Sequence, residues 1–392
     1  MNILYGILTT IFLLGVGYLF SENRKAINWR TVGIGLLAQI VMMFFVLKTS
    51  IGQWILKGIS NGITTVLGFS SEGISFVFGD SLIGTGAFAI TVLSVICFTG
   101  SLIALLYYLK VIPFFVRVVG GLVSKIMGTT PVESFCGVGN AFLSATESPL
   151  LTKPFLKDLT RSELFAVILG GFASVSVSVV LGYSTMGINM EYIMVQMATV
   201  PFATLLMAKM LVPETEESKT TEIKIEGSEH SNIFDAIGSG AMDGLNIALS
   251  VGAVLIGFIS LIALVNFVLG WFGTSLTEIF TIMLYPLAKL MGIPSNEIAT
   301  FTSAIGLKTA VNEYVAIGGL TEVMSTLSIR TQAMLGIALV NFANFSVIGI
   351  TIGGFKTFCP EKADEVTSLG FKALLGGVLT SLISASLMGM FF

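Results

Sequence analysis

Eight long apolar segments, separated by short polar stretches, leave this chain few ways to fold. Most of them approach the roughly 20 residues that a helix needs to cross the hydrocarbon core of a bilayer. Inside hydrocarbon the backbone must satisfy its own hydrogen bonds, so single segments of this kind cross as α-helices. The predicted spans are 3–20, 32–47, 83–109, 163–182, 193–212, 245–269, 331–353 and 371–391.

The composition indicates a polytopic membrane protein and argues against other classes. Of the 392 residues, 54% are hydrophobic and 11% are charged, whereas a soluble domain has about 25% charged residues. A formal net charge of -3 offers no basic stripe for a nucleic-acid partner. The three cysteines lack metal or redox spacing, and the only histidine, His230, lies in a polar loop. We therefore expect no nucleic-acid partner, no enzymatic cofactor and no enzyme active site.

Two stretches of small and polar residues interrupt regions that are otherwise apolar enough to enter the membrane. The first, 137–150, contains Glu147, and the second, 302–314, contains Glu313. An ionisable side chain at bilayer depth costs about 2.5–3.5 kcal/mol on insertion scales and persists mainly where it faces a cavity, a partner or a substrate. A single glutamate could also cap a helix end at the interface. Two glutamates in matched contexts favour one functional site between two halves of the chain.

The regions 118–155 and 285–320 are each split by one of these interruptions, and we interpret both as re-entrant helical hairpins. A hairpin enters and leaves on one face of the membrane, so the number of crossings stays at eight. With the N-terminus outside, most lysines and arginines of the loops fall on the cytoplasmic side, as the positive-inside rule requires. The C-terminus is then also outside.

The order of elements repeats with inverted orientation. A hairpin and two spans in 118–212 are followed by a hairpin and two spans in 285–392, and such repeats hold substrate near the midplane of alternating-access transporters. The remaining parts are predicted to be scaffold spans with an interfacial helix in 1–117, and a cytoplasmic linker, an interfacial helix and a scaffold span in 213–284. The sequence predicts an all-α transporter with eight transmembrane helices and two hairpins.

Three short motifs resemble the concentrative nucleoside transporters. The run GLKTAVNEYVAI at 306–317 is similar to the GxKxxxNEFVA signature of that family, with Tyr314 where Phe is usual. The run FANFSVIG at 342–349 resembles its FANFSSIGI motif, and TESPL at 146–150 resembles its TEAPL motif. The similarity to short bacterial members covers nearly the whole chain. It implies an elevator-type homotrimer, in the bilayer of a bacterial cytoplasmic membrane, that carries a nucleoside.

The resemblance also implies roles for individual residues. The implied substrate-binding residues are Thr146 and Glu147 at the nucleobase with Val179 beside them, and Glu313 and Asn344 at the ribose hydroxyls with Phe342 next to them. The implied sodium ligands are the side chain of Asn140, the carbonyl oxygens of Leu143 and Val175, and Ser174. An all-oxygen shell of this kind suits a hard cation.

Several alternatives stay open at this point. Ala145 and Val347 replace a Gln and a Ser that many family members have, so the base selectivity does not carry over. Sodium is favoured as the coupling ion, with a proton carried by Glu147 or Glu313 as the alternative. A nucleoside-recognition gate or receptor is a further reading, although such a module needs only one hairpin half. Two glutamates argue against a carboxylate substrate, which would require cationic partners.

Overall fold

The computed structural model describes residues 1–83, 89–141, 155–219 and 230–392, and these residues contain eighteen α-helices and no β-strand. The predicted all-α class is therefore confirmed. The helices are α1 (Asn2–Leu19), α2 (Trp29–Lys48), α3 (Ser50–Gly68), α4 (Ser70–Phe78), α5 (Asp80–Ile83), α6 (Ser94–Tyr108), α7 (Val111–Met127), α8 (Pro131–Gly139), α9 (Arg161–Ala173), α10 (Val177–Thr185), α11 (Met190–Leu211), α12 (Ile233–Gly270), α13 (Leu276–Leu290), α14 (Ile298–Ala310), α15 (Glu313–Gly318), α16 (Ile329–Ala338), α17 (Phe345–Phe358) and α18 (Ala363–Met388).

Apart from 83–109, of which residues 84–88 lie outside the described ranges, each predicted span falls on one helix or on a pair of helices divided by a break. Within the described ranges, four helical stretches are long and apolar enough to cross a membrane, namely α1, α2, α11 and the stretch Pro360–Met388 that contains α18. The helices α6 and α7 would make a fifth span if joined, but they are bent by 72°. The spans predicted at 163–182 and 331–353 are each broken near the middle. Their halves are too short to cross alone.

Each of the two broken helices consists of two short helices joined by a non-helical segment. A capping box between Thr160 and Glu163 starts α9, which ends at Ala173, and Ser174 has extended backbone before α10 begins at Val177. Alternating serine and valine disfavour helix here, because serine side chains compete for backbone hydrogen bonds and valine loses rotamer freedom. In the second repeat, α16 ends at Ala338, and Asn344 caps the start of α17.

The hairpins begin later in the chain than the hydropathy pattern indicated. Residue 118 lies inside α7, and Gly128 at φ 67° separates that helix from α8. A capping box with Pro131 in the first turn starts α8 afresh. Tyr285 likewise belongs to α13, which Gly292 at φ 71° divides from the hairpin arms α14 and α15. Hydropathy does not register helix ends, so it merged each hairpin with the helix before it.

Glycines allow α6 and α12 to pack with their backbones in contact. A Cβ on Gly100 would overlap the carbonyl oxygen of Gly240, and a Cβ on Gly244 would overlap the backbone at Ile96. Small residues four apart are a common device for close helix pairing in membranes. Elsewhere α1 packs along α18, and α2 along α11. The division into scaffold and transport parts stays a prediction.

Two buried cations hold helix ends in place. Lys209 on α11 pairs with Glu133 of α8 and donates to Ser162 Oγ of α9 at 2.8 Å, which joins the hairpin helix α8 and the first half of the broken helix to α11. Arg330 is buried and donates to the carbonyl oxygens of Met291, Gly292 and Gly389. Its guanidinium thus caps the C-terminal ends of α13 and α18, where positive charge is favourable.

Candidate substrate and cation sites

Glu313 lies at the turn of the second hairpin, where α14 ends and α15 begins. The side chain of Asn312 caps α15 by accepting from the backbone N–H of Val315 at 2.9 Å. This cap orients the first turn and leaves the carboxylate of Glu313 only 5% exposed. A buried carboxylate is stable only with partners.

Two broken helices supply those partners. Asn344, the N-cap of α17, donates from Nδ2 to Glu313 Oε2 at 3.1 Å. Its Oδ1 accepts from Ser346 Oγ at 2.6 Å and from the backbone N–H of Val347 at 3.2 Å. The hydroxyl of Tyr183 on α10 donates to Glu313 Oε1 at 3.2 Å. Each carboxylate oxygen is therefore held by a different broken helix.

Tyr183 was not among the residues predicted from the sequence. It is fully buried, and its ring lies 5.0 Å from that of Tyr314. The available signal was its spacing, because Tyr183 follows the predicted substrate residue Val179 by four positions in α10 and so shares its helix face.

The other predicted substrate residues are distributed as follows. Val179 is buried on α10, and Phe342 is half-buried in the break between α16 and α17. The backbone N–H of Phe342 donates to the carbonyl oxygen of Ser174 at 3.3 Å, so the two helix breaks are in direct contact. Thr146 and Glu147 lie outside the described residues, and so does the predicted sodium ligand Leu143.

Two of the remaining predicted sodium ligands each have a buried side-chain oxygen without a partner among the described residues. Asn140, at the end of α8, donates from Nδ2 to the carbonyl oxygen of Cys136 at 2.8 Å, which leaves Oδ1 without a partner in the described part of the chain. Ser174 Oγ is likewise buried and unpaired among those residues, and Val175 is fully buried. A buried polar atom without a partner costs about 1–3 kcal/mol. Amide and hydroxyl oxygens are ligands that suit a hard cation, so the chemistry of the residues present fits sodium.

Lys308 on α14 contributes a second link between the hairpin and the break of α16 and α17. It is 1% exposed and donates from Nζ to Oδ1 of Asn341. No cluster of three or more His, Cys, Asp or Glu side chains suited to a metal occurs within the described ranges.

A large cavity beside these elements does not have the chemistry of the Glu313 site. Its volume is about 690 Å³, and mainly apolar side chains of α2, α3, α6, α7 and α11 line it, together with Val138, Ala141 and Val177 close to the predicted sodium ligands. A nucleoside presents many hydrogen-bonding groups that this lining would leave unpaired. We therefore place the candidate site at Glu313.

The fold and this site define a membrane transporter with two related halves, and comparison with known proteins gives its family. The family model described as Na+ dependent nucleoside transporter C-terminus matches residues 193–389, and the corresponding N-terminus model matches residues 8–81. A model described as nucleoside recognition matches residues 89–190. The chain belongs to the Na+ dependent nucleoside transporter family, which confirms the resemblance seen in its motifs.

Full-length relatives support this assignment. The uncharacterized transporter YutK of Bacillus subtilis is 38% identical over 403 residues, covering 100% of both chains. The nucleoside permease NupC of Helicobacter pylori is 37% identical over 409 residues, covering 99% of this chain and 97% of the permease. The solved structure of CNTnw in an inward-facing substrate-bound state matches with a TM-score of 0.95 and 36% identity, covering 100% of this chain and 99% of CNTnw. These relatives are transporters and permeases, not enzymes.

Proposed function

We propose that this protein imports nucleosides across a bacterial cytoplasmic membrane as a symporter driven by a sodium gradient. The observation that carries the proposal is the buried carboxylate of Glu313, held by Tyr183 and Asn344 where a hairpin meets two broken helices. The resemblance of the motifs to the family implies that Glu313 and Asn344 contact the ribose.

The chemistry of these groups suits a pair of vicinal hydroxyls. A carboxylate accepts hydrogen bonds, and an amide both donates and accepts. In a desolvated site, a ligand that lacks one hydroxyl leaves a protein group unpaired, which discriminates strongly against it. Glu313 and Asn344 are therefore the proposed ribose contacts, with Phe342 and Val179 beside them. Thr146 and Glu147 are the proposed contacts to the base.

Sodium coupling is supported by the unpaired oxygens of Asn140 and Ser174. The ion would bind these side chains together with backbone carbonyls of the broken segment, including that of Val175, and with the carbonyl of Leu143. Its contribution would be to stabilise a conformation of the breaks that binds substrate.

The proposed assembly is a homotrimer with both termini outside. Exposed apolar side chains along α12 are consistent with a surface buried by lipid or by neighbouring subunits, and they include Leu249, Ile256, Phe267 and Trp271. The hairpins and broken helices would move as an elevator past α6 and α12.

Uptake into proteoliposomes tests the function. Radiolabelled uridine and adenosine are offered under a sodium gradient and, separately, under a proton gradient. Accumulation with sodium alone is the expected result. Accumulation with protons alone would indicate that a carboxylate carries the coupling proton. Binding without accumulation under either gradient would support a nucleoside-recognition gate instead.

A further inference from the structure

Lys308 is a buried cation for which neither the substrate nor the sodium assignment supplies a role. It lies in the last turn of α14, five residues before Glu313, and its side chain is 1% exposed. Lysine is almost never fully buried without a partner, because removing its charge from water is costly. Its hydrogen-bond partner is the side chain of Asn341, in the break between α16 and α17.

This contact determines how the Asn341 amide is oriented. The Nζ of Lys308 donates to the carbonyl oxygen Oδ1 of Asn341, so the oxygen side of the amide faces the lysine. The same oxygen lies 3.5 Å from the backbone nitrogen of Ala343, which donates to it from within the break. Lys308 thereby holds an acceptor that also organises the irregular backbone.

The break is consequently attached to the hairpin at two points. Lys308 of α14 holds Asn341 near the start of the break, and Glu313 of α15 accepts from Asn344 at its end. The six residues 339–344 are irregular, although the N–H of Leu339 still donates to the carbonyl oxygen of Leu335 and that of Phe342 donates to Ser174. Side-chain contacts therefore contribute to the geometry of this segment together with these backbone hydrogen bonds.

We propose that Lys308 is a positioning residue of the substrate site. Its hydrogen bond to Asn341 holds the break against the hairpin and so sets the place from which Asn344 and Glu313 contact the substrate. This role rests on the proposed nucleoside transport. It differs from a role as a mere counter-charge to Glu313, which would not involve Asn341.

The test measures the Kd for uridine and adenosine by calorimetry on the purified full-length protein. The variants are Lys308→Met, Asn341→Leu and the double variant. Each single variant is expected to weaken binding about tenfold or more, because a charged hydrogen bond contributes about 1.5–3 kcal/mol. If the two residues act as one unit, the double variant is no weaker than either single variant, whereas independent effects would multiply to about a hundredfold. Multiplying effects, or wild-type affinity in Lys308→Met, would overturn the proposal.

Three comparisons keep the result interpretable. Lys209→Met removes another buried lysine, one that bonds to Glu133 and Ser162, and it is expected to lower thermal stability with little change in Kd. Asn341→Asp keeps an acceptor for Lys308 in nearly the same shape and is expected to bind close to wild type. If Lys308→Met does not fold, equal Kd values for Asn341→Leu and Asn341→Asp would also overturn the proposal. A wild-type protein that binds neither nucleoside would reject the proposed function itself.

Discussion

The backbone N–H of Phe342 donates a hydrogen bond to the carbonyl oxygen of Ser174 across 3.3 Å. One residue lies in the break of the second repeat and the other in the break of the first. The proposed cation ligand and the proposed substrate residue are thus direct neighbours. Since binding free energies at two linked sites are coupled reciprocally, sodium at Ser174 is expected to raise substrate affinity, and substrate to raise sodium affinity.

Removing a proposed sodium ligand tests this coupling. Asn140→Ala and Ser174→Ala are each expected to raise the sodium concentration for half-maximal uptake about tenfold, because loss of a contact to a charged group costs about 1.5–3 kcal/mol. The measurement is initial uptake rate against sodium concentration. Ser386→Ala is the matched control, since the buried hydroxyl of Ser386 already donates to the carbonyl of Leu382 at 2.7 Å. Unchanged sodium dependence in both site variants would reject the site.

Changes at the proposed ribose contacts should remove transport. Glu313→Gln and Asn344→Ala are expected to reduce uptake at least about a hundredfold, since each leaves a buried group unpaired as well as losing a substrate contact. Uptake is measured in proteoliposomes, and the assembly state of each variant is measured by size-exclusion chromatography with light scattering. Normal uptake in either variant would contradict the ribose assignment, and loss of assembly would indicate a structural role instead.

Tyr183→Phe removes a single oxygen from the site and keeps the ring. The hydroxyl donates to Glu313, so its loss should free one carboxylate oxygen and weaken nucleoside binding about three- to tenfold, because the carboxylate is less firmly positioned. The expected change is in Kd, read by calorimetry, together with a modest loss of thermal stability because Glu313 loses one partner. Tyr192→Phe serves as the control, because Tyr192 on α11 contacts Phe392 rather than the site. An equal effect in both variants would argue against a specific role.

Glu22 gives a prediction about pH, outside the membrane segments. The guanidinium of Arg161 forms two hydrogen bonds with its carboxylate, Lys372 forms a third, and together they lower the pKa of Glu22 from 4.5 to about 2. A carboxyl whose pKa is lowered on folding contributes stability that is complete above its unfolded pKa and is lost as the pH falls from 4.5 towards 2.

The measurement for Glu22 is the melting temperature against pH. Glu22→Gln should melt roughly 1–3 °C below wild type at pH 7, because a partly exposed ion pair contributes at most about 1 kcal/mol. This difference should shrink as the pH falls below about 4.5. The exposed Glu217 provides the control Glu217→Gln, expected to melt with wild type at each pH. A difference that stays constant with pH would show that the Glu22 charge is not responsible.

The class of protein followed from local properties of the chain. Long apolar segments predict membrane helices wherever they occur, and small polar residues such as those around Glu313 mark interruptions without reference to the rest of the fold. Asn344 and Ser174 lie in neither interruption and were named only through the resemblance to the family. The starts of the two hairpins could not be predicted from hydropathy. Gly128 and Gly292 separate each hairpin from the helix before it, and a hydropathy pattern does not show such a turn.

Contacts between distant segments were decided by packing alone. Nothing in the sequence brings Tyr183 to Glu313, Lys308 to Asn341 or Phe342 to Ser174, because each pair is separated by many residues and joined only when the hairpin folds against two broken helices. The sequence by itself determined the apolar segments and the two polar interruptions at 137–150 and 302–314, whereas the breaks inside the spans 163–182 and 331–353 appeared only in the structure. The tertiary structure decided which of them meet, since a buried carboxylate, ammonium or backbone N–H in a low-dielectric interior must find a partner that only the assembled helices supply.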